Sequence, residues 1–476
     1  MSKPTRRRQT KRTTTIPPHS DRLSPSQHQH RQFCQPRTAT TTATPTRPST
    51  LNLQRQQRRE MLSRPQQRLT RAIARQQICR RLGAAAANAA HTRPLSTTPP
   101  LLTTPPPSPS TSTWTSPYPS STDFRSDVVT SPTASMLTAI STSTHLDDVF
   151  CEDPSTISLE TRLASLTGHE GALLVLSGTM GNQLALRALL TQPPHAVLCD
   201  DRAHILEWEA GGVASLSGAL VQGVVAGNGR FLTLADVQRK VVLSDDVHAC
   251  PTRVISLENT LGGSIMPLDE TRRISEWARE NGILMHLDGA RLWEAVTAGA
   301  GGLEEFTRCF DTVSLCFSKG LGAPIGSILL GSKEVIKRAR WVRKSVGGGL
   351  RQSGVVAAAA RVGVEETFLG GKLKRGQEMA KRIGEMWESK GGRLEREVET
   401  NMVWLDLEAA GVGEEEWVRA AGRRGVKVGG GRVVVHYQVT EEAVGKLGEA
   451  MGEVLGRAGK GEGGGEGKKV GFKSYG

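Results

Sequence analysis

From about Phe124 onward, short apolar runs alternate with segments whose apolar residues recur every three or four positions. Continuous apolar runs predict strands buried on both faces, and the longer spacing predicts amphipathic helices. The predicted strands are ALLVLS (172–177), HAVLCD (195–200), RVISLEN (253–259), GILMHLD (282–288), TVSLCFS (312–318) and SILLG (327–331). This alternation predicts an α/β fold with a mostly parallel sheet covered by helices on both sides.

A smaller unit follows a long helix-patterned stretch that runs from about 352 to 390. Strand and helix patterns alternate there in the order NMVWLDLE (401–408), EEEWVRAAGRRG (414–425), RVVVHYQV (432–439) and TEEAVGKLGEAMGEVLG (440–456). We therefore predict a large domain over 121–370, a small C-terminal α/β domain over 371–456 and a flexible tail over 457–476.

Residues 1–120 have a different composition, rich in Ser, Thr, Pro, Gln and Arg, with little sustained periodicity. Such a segment buries too little apolar surface to offset the entropy of ordering it, so we predict that it is disordered. Up to residue 122 the chain has 20 Lys and Arg residues against Asp21 and Glu60, a charge of +18. The remainder carries −4 of the net +14, which removes the main argument for nucleic-acid binding by the folded part.

Part of this basic segment is amphipathic. From Met61, apolar residues recur four positions apart, as Leu69 with Ile73 and Ile78 with Leu82, among arginines and without an acid. This pattern is typical of a mitochondrial transit peptide, with Met61 as a candidate internal start. An ordinary basic tail fits it equally well. The sequence therefore predicts the mitochondrial matrix or the cytosol without choosing between them.

Apolar runs and cysteines limit the class of protein further. No uninterrupted apolar run approaches the roughly 18 to 20 residues that cross a bilayer, so we expect no membrane-spanning helix. The seven cysteines form no CxxC pair and lie at 34, 79, 151, 199, 250, 309 and 316. An odd number at these spacings argues for a reducing compartment and against a disulfide framework or a structural zinc site.

Asp288 ends a predicted strand in HLDGARLWEA. Taken alone, it is interpreted most simply as the N-cap of the next helix. Arg291 falls in the first turn of that helix, where its charge is unfavourable with the helix dipole, so we expect it to face an anion or another acceptor.

Lys319 ends a later predicted strand in SLCFSKGLGAPIG, among small residues and without an acidic neighbour. A solvated loop lysine is the simpler alternative. A desolvated lysine, however, keeps more of the neutral amine that attacks a carbonyl. Together with Asp288 it forms the pair that pyridoxal phosphate needs, because the amine holds the aldehyde and the acid keeps the pyridine nitrogen protonated.

Two further stretches fit the same ligand. In SGTMGNQLALRALL, Gly178 and Thr179 open a helix directly after a strand, so N–H groups, a hydroxyl and the helix dipole converge on a point suited to phosphate. A tight turn is the alternative for this start taken alone. His204, in DDRAHILEWEAGG, follows another strand and could stack on a planar cofactor or move protons, although most single histidines are structural.

These residues lie in motifs that resemble those of low-specificity and L-allo-threonine aldolases, which are fold-type I pyridoxal phosphate enzymes with an aspartate aminotransferase-like fold. The similarity runs from 124 to about 455 and includes RSDVVT, DDVFCEDPST, SGTMGNQ, AHILEWEAGG, SLENT, HLDGARLWEA, SLCFSKGLGAPIGSILLG and RWVRKSVGGGLRQSG. It implies Lys319 as the Schiff-base lysine, Asp288 on the pyridine nitrogen and His204 stacked over the ring. Arg291 would lie near the cofactor's phenolate oxygen and the substrate carboxylate.

The resemblance implies further site residues and an assembly. Gly178 and Thr179 would bind the phosphate, Ser126 and Arg432 would bind the substrate carboxylate, and Arg351 would reach a neighbouring subunit's cofactor. The last role implies a homo-oligomer, and the family suggests a dimer of dimers. Three positions depart from the family pattern: Phe150 stands for a tyrosine, Leu261 for a histidine near the substrate hydroxyl, and Met180 for a polar residue beside the phosphate loop.

The activity implied by the resemblance is retro-aldol cleavage of L-threonine or L-allo-threonine to glycine and acetaldehyde, an aldehyde-lyase reaction. Lys319, Asp288 and His204 are the predicted catalytic residues, with His204, directly or through a water, as the candidate base. Two alternatives stay open: another enzyme of this fold, such as a β-eliminating lyase or an aminotransferase, and a catalytically degenerate binding protein. Leu261 leaves the preference between threonine and allo-threonine open.

Overall fold

The computed structural model describes residues 118–459. The predictions made for the basic N-terminal segment, for a start at Met61 and for most of the C-terminal tail lie outside these residues. Across 118–459, no helix is both long and apolar enough to cross a membrane.

Helices and strands alternate along the described chain. A 3-10 turn at Asp127–Val129 precedes them, and the stretch predicted as helical over 352–390 contains a helix at Gly354–Val362, a π-helical turn at Gly363–Phe368 and a helix at Lys372–Ser389. The strands are β1 (Gly171–Val175), β2 (Ala196–Asp200), β3 (Leu220–Val224), β4 (Thr252–Glu258), β5 (Leu284–Asp288), β6 (Thr312–Cys316), β7 (Ser327–Gly331), β8 (Met402–Trp404) and β9 (Arg432–Val434). The helices are α1 (Ala134–Ser141), α2 (Pro154–Thr167), α3 (Gly178–Leu189), α4 (His204–Glu207), α5 (Gly212–Ser217), α6 (Leu234–Lys240), α7 (Leu268–Glu280), α8 (Leu292–Thr297), α9 (Leu303–Thr307), α10 (Lys333–Ser345), α11 (Gly354–Val362), α12 (Lys372–Ser389), α13 (Glu414–Arg423) and α14 (Glu441–Ala458).

Seven strands form one sheet in the order β1-β7-β6-β5-β4-β2-β3. The neighbours from β6 to β3 run parallel, and β7 is antiparallel to both β6 and β1. The prediction of an α/β fold with a mostly parallel sheet is confirmed. The sequence pattern missed the edge strand β3, because LVQGV contains Gln222 and Gly223 and buries only Val224.

Helices cover both faces of this sheet because successive side chains of a strand point to opposite sides. On β1, Leu174 packs into one core cluster, which also contains residues of α2 and α7. Its neighbours Leu173 and Val175 pack into a second cluster, which contains residues of α3 and α10. Burial on both faces explains why the central strands are continuous apolar runs.

A third core cluster lies against the antiparallel pair β8 and β9. Trp387 of α12 and Trp417 of α13 are fully buried in it, and so is Phe124. The Phe124 N–H donates to the Lys427 carbonyl at 2.8 Å, and its own carbonyl accepts the Val434 N–H at 2.8 Å. The segment just before Ser126 and Asp127 is therefore anchored on the C-terminal unit.

The carboxyl ends of the central strands lie side by side. Glu258 ends β4 and pairs in register with Asp288, which ends β5, and Asp288 pairs with Ser314 of β6. Lys319 follows β6 by three residues. Ligands of open α/β sheets bind at these strand ends. The fold therefore brings together an acid and a lysine that are 31 positions apart in the sequence.

Candidate functional site

Asp288 is held firmly at the strand ends, with 4% of its surface exposed. Its Oδ1 accepts the Ala290 N–H at 3.0 Å, and its Oδ2 accepts Nδ2 of Asn182 at 2.6 Å. The next helix begins only at Leu292. The interpretation of Asp288 as the N-cap of that helix is therefore wrong, and its carboxylate keeps lone pairs for a ligand.

A buried chain of hydrogen bonds orients Asn182. Thr312 Oγ1 lies 2.9 Å from His286 Nδ1, and His286 Nε2 lies 3.1 Å from Asn182 Oδ1. Burial lowers the pKa of His286 to about 4, so its imidazole is neutral near pH 7, with one donor and one acceptor nitrogen. Because Asn182 Oδ1 can only accept, His286 donates from Nε2. The Asn182 amide is thereby turned toward Asp288.

His204 opens α4 beside the same strand ends, with 23% of its side chain exposed. Its Nδ1 lies 2.9 Å from Glu209 Oε1, and its backbone N–H donates to Glu258 Oε2 at 2.9 Å. Burial alone would lower the pKa of His204, but the hydrogen bond to Glu209 and the charges of Asp288, Glu209 and Glu258 raise it. The structure thus brings His204 and Asp288 into one site.

Lys319 lies in the turn between β6 and β7 and is partly buried. Its positive charge acts on both Asp127 and Glu258. A Cβ atom on Gly320 would lie 2.9 Å from Glu294 Oε1, so a larger residue after the lysine would displace the Glu294 carboxyl group. This position does not fit the alternative of a fully solvated loop lysine.

Arg291 and Arg432 form a buried cationic pair near Lys319. Arg291 donates from Nε and Nη2 to the two carboxylate oxygens of Asp127, at 2.9 and 2.6 Å. Burial opposes ionisation of Asp127, but the adjacent Arg291 holds its pKa well below the usual range. Burial, and then the charge of Arg291, lower the pKa of Arg432 to about 10. Guanidinium groups bind carboxylates through charge-assisted hydrogen bonds, so Arg291 and Arg432 suit a substrate carboxylate.

The start of α3 offers an anion site. Ser177 caps this helix by accepting the Met180 N–H at 3.1 Å, and the first helical turn leaves the N–H groups of Gly178 and Thr179 without an intrahelical partner. A Cβ atom on Gly178 would lie 2.7 Å from Cys316 Sγ, so glycine is needed for the close approach to β6. Free N–H groups at a helix N-terminus suit a phosphate.

The remaining predicted site residues differ in position. Ser126 is buried next to Asp127, and its Oγ accepts the Val128 N–H at 3.4 Å. Arg351 lies on the surface with 64% of its side chain exposed, where it pairs with Asp147. Within 118–459, Arg351 makes no hydrogen bond to another predicted site residue.

The three positions that depart from the family pattern also differ in exposure. Phe150 is 69% exposed, and Met180 is partly buried. Leu261 is 9% exposed and lines a small cavity together with Glu258. Leu261 therefore lies near the site, because the charge of Lys319 acts on the neighbouring Glu258.

Four polar residues of the site were missed by the sequence reasoning. They are Asp127 in RSDVVT, Asn182 in SGTMGNQ, Glu209 in AHILEWEAGG and Glu258 in SLENT. Burial and the charge of Asp288 raise the pKa of Glu258 to about 7. The available signal was that Glu258 ends an apolar strand, as Asp288 does, and that the other three lie in the motifs that already supplied site residues.

The donor set fits pyridoxal phosphate: a fixed acid, a lysine, a helix N-terminus and a cationic pair. His204, Glu209 and Asp288 also place nitrogen and oxygen atoms within 4.8 Å of one another, as a metal site would. The Asn182 amide, however, already bridges Glu209 and Asp288 with hydrogen bonds of 2.8 and 2.6 Å. An amide donor rather than a cation therefore joins these two carboxylates.

Known proteins resemble this chain over most of its described length. The family model for beta-eliminating lyases matches residues 123–410. Aldolase vrtJ of Penicillium aethiopicum is 58% identical over 342 residues, which cover 72% of this chain and 88% of that protein. Alanine racemase TOXG of Cochliobolus carbonum is 44% identical over 348 residues, 72% of this chain and 90% of that protein.

Two further comparisons concern threonine aldolases. The low-specificity L-threonine aldolase of Eremothecium gossypii is 44% identical over 336 residues, 70% of this chain and 88% of that protein. The solved structure of a Leishmania major threonine aldolase superposes with a TM-score of 0.62 at 18% identity, covering 70% of this chain and 99% of that one. At that identity the structural likeness shows a shared fold.

Proposed function

We propose that this chain, which belongs to the beta-eliminating lyase family, is a pyridoxal phosphate-dependent aldolase that cleaves L-threonine and L-allo-threonine to glycine and acetaldehyde. The observation that carries the proposal is the convergence of Lys319 and Asp288 at the strand ends, next to the cationic pair of Arg291 and Arg432. Relatives named L-threonine aldolase, at 44% identity, support the choice of substrate.

Each residue has a defined task in this proposal. Pyridoxal phosphate, when bound, supplies an electron-accepting ring that stabilises negative charge at the substrate's Cα. Lys319 supplies the amine that holds the cofactor's aldehyde, and Asp288 keeps a positive charge on the ring nitrogen. Arg291 and Arg432 bind the substrate carboxylate, which fixes the orientation of the other bonds at Cα and so selects the one that breaks.

His204 is the proposed base for the substrate's β-hydroxyl. When the hydroxyl proton moves to the imidazole, the O–H electrons form the aldehyde C=O bond. The Cα–Cβ bond breaks at the same time, and its electron pair stays with the glycine fragment. The neighbours that raise the pKa of His204 favour its role as a proton acceptor near neutral pH.

The names of the relatives bear on the substrate. One is called an aldolase, one an alanine racemase and one a low-specificity L-threonine aldolase. The second and third names each specify a small amino acid, alanine or threonine, and this supports a small amino acid as the substrate. Leu261 removes a polar contact that a histidine would offer there, and we propose that threonine and allo-threonine are discriminated weakly.

We further propose that the chain works as a homo-oligomer, at least a dimer and in full a dimer of dimers, in which Arg351 reaches a neighbour's cofactor. The exposed Arg351 and the exposed Phe150, both linked to Asp147, provide a polar and an apolar contact on one surface. Sedimentation of the purified protein tests this. A wild-type protein that sediments as a monomer would contradict it. So would an Arg351→Ala variant that binds cofactor as well as the wild type does.

For localisation we propose the mitochondrial matrix or the cytosol, on the basis of the arginine-rich, acid-free pattern after Met61. Sequencing the N-terminus of the mature protein from fractionated cells decides between them. A chain cleaved after Met61 and found in mitochondria supports the first, and a chain intact from Met1 in the cytosol supports the second.

The cofactor assignment is tested by reductive labelling. Protein incubated with pyridoxal phosphate should gain a visible absorbance band, and borohydride should remove the band and leave the label on Lys319. Lys319→Ala should lose the label and the activity, whereas Lys333→Ala, on the exposed start of α10, should keep both. A wild-type protein that takes up no cofactor, or a label on another lysine, contradicts the proposal.

A further inference from the structure

Glu209 is an enclosed acid beside His204, with none of its side chain exposed. Its Oε1 lies 2.9 Å from His204 Nδ1 and accepts Asn182 Nδ2 at 2.8 Å. Its Oε2 accepts Gln183 Nε2 at 2.5 Å. A carboxylate so buried would be costly without partners, and these three hydrogen bonds stabilise it.

These contacts decide where the proton of His204 resides. The amide nitrogens of Asn182 and Gln183 are donors only, so both oxygens of Glu209 act as acceptors. The His204 nitrogen that faces Glu209 must then be the donor. In the neutral imidazole this places the hydrogen on Nδ1 and leaves Nε2 as the proton-accepting atom.

We propose that Glu209 is a positioning residue that holds the His204 proton on Nδ1, so that Nε2 takes the proton of the substrate's β-hydroxyl, and that stabilises the imidazolium thus formed. Asn182 extends the arrangement, because the same amide donates to Asp288 at 2.6 Å. The catalytic role of Glu209 rests on the proposed aldol cleavage. The placement of the proton on Nδ1 is independent of that proposal.

The charged groups around His204 come from four elements. Glu209 follows α4, Glu258 ends β4, Asp288 ends β5, and Lys319 follows β6 and acts through Glu258. The three carboxylates all raise the pKa of His204, but only Glu209 touches the ring through a hydrogen bond. Removing the charge of Glu209 should therefore lower the pKa of His204, although Asp288 and Glu258 remain in place.

Glu209→Gln removes this charge with little change of shape. The new Gln Oε1 can still accept from His204 and Asn182, and its amide nitrogen faces Gln183. The Gln183 amide can turn to meet it, because its Oε1 is buried without a partner in the described structure. The variant should therefore fold. Glu280→Gln, at the exposed end of α7, is the matched control for loss of one negative charge.

The first measurement is ¹⁵N NMR of histidine-labelled protein without cofactor, with the His204 signals assigned through His204→Gln. In the wild type, Nδ1 should carry the proton and Nε2 should show the shift of an unprotonated nitrogen. The His204 titration midpoint should fall in Glu209→Gln and stay in place in Glu280→Gln. A proton on Nε2 in the wild type overturns the inference, and this outcome does not depend on how well the variant folds. An unchanged His204 midpoint in folded Glu209→Gln also overturns it.

The second measurement separates this inference from the proposed function. With threonine as substrate, Glu209→Gln should lower kcat by roughly 10²-fold, the lower range of what a positioned proton acceptor contributes, and leave KM nearly unchanged. The acid limb of its pH profile should move to lower pH. If the wild type does not cleave threonine, the proposed function fails while the NMR result still decides the placement. If threonine is cleaved and kcat is unchanged in Glu209→Gln, the positioning role fails alone.

Discussion

Replacing Asp127 by asparagine would test the buried cationic pair of the site. The change keeps the side-chain shape but leaves the guanidinium of Arg291 without its carboxylate and next to Arg432. Two charge-assisted hydrogen bonds, at 2.9 and 2.6 Å, lose an ionic partner. At about 1.5–3 kcal/mol for each bond, the loss agrees with the 3–5 kcal/mol typical of breaking one side of a buried ion pair. We expect the free energy of unfolding to fall by about 3–5 kcal/mol.

The measurement is urea unfolding of the protein without cofactor at pH 7. Glu441→Gln provides the control, because Glu441 also pairs with an arginine, Arg382, through two hydrogen bonds of 2.8 and 3.3 Å. That pair is more than half exposed, with 57% of the glutamate and 52% of the arginine accessible. Solvent screening should therefore limit its loss to about 1 kcal/mol or less.

Acidification gives an independent check on the same pair. Burial opposes ionisation of Asp127, but Arg291 outweighs it, so the folded-state pKa lies below the unfolded value of about 3.9. The stabilisation is therefore complete above the unfolded pKa and is lost as the pH falls through the folded one. The difference in the free energy of unfolding between the wild type and Asp127→Asn should therefore become smaller below about pH 4. A loss of unfolding free energy under about 1 kcal/mol at pH 7, or a difference between the two proteins that stays constant on acidification, would show that the Asp127–Arg291 pair does not stabilise the fold in this way.

Three further variants test separate parts of the site. Gly178→Ala places a Cβ atom 2.7 Å from Cys316 Sγ and should destabilise the fold by about 1–3 kcal/mol and weaken cofactor retention; normal retention would contradict the close approach. Burial raises the pKa of Glu294 to about 8, so the folded state holds a proton that the unfolded chain releases above about 4.3. Stability relative to Glu294→Gln should therefore fall as the pH rises from about 4 to 8 and then level, and a pH-independent difference in urea unfolding would contradict this. Leu261→His restores a polar group near the substrate and should change the ratio of kcat/KM for threonine and allo-threonine by about 2- to 10-fold, the value of one hydrogen bond; an unchanged ratio would place residue 261 outside substrate reach.

The strands and the large-scale fold could be predicted because burial on both faces leaves a simple sequence signal. The run LLV of β1 is apolar throughout since Leu173 and Leu174 face different cores. The edge strand β3 lacked this signal, because only Val224 of its five residues is buried and it carries Gln222. The pattern therefore reports how deeply a strand is buried more reliably than whether a strand exists.

The site was predictable where a residue's chemistry is unusual for its position, as with Lys319 among glycines. It was not predictable where a residue acts only through its partners. Asp127 and Glu209 are ordinary acids in the sequence, and their roles depend on Arg291 and His204, which lie 164 and 5 positions away. Hydrogen bonds between two side chains leave no periodic pattern in the sequence, whether the partners are near or far along the chain. Arg351 stays a prediction, since a role in a neighbour's site is not tested by one chain.

The activity proposed for this protein is cleavage of the Cα–Cβ bond of a β-hydroxy amino acid. The most direct test incubates the cofactor-loaded protein with L-threonine, L-allo-threonine and their D isomers, and quantifies acetaldehyde, glycine, ammonia, keto acid and inverted amino acid. We predict equal amounts of acetaldehyde and glycine from the L isomers and no turnover by Lys319→Ala. Ammonia with a keto acid, or inversion at Cα without acetaldehyde, would contradict it.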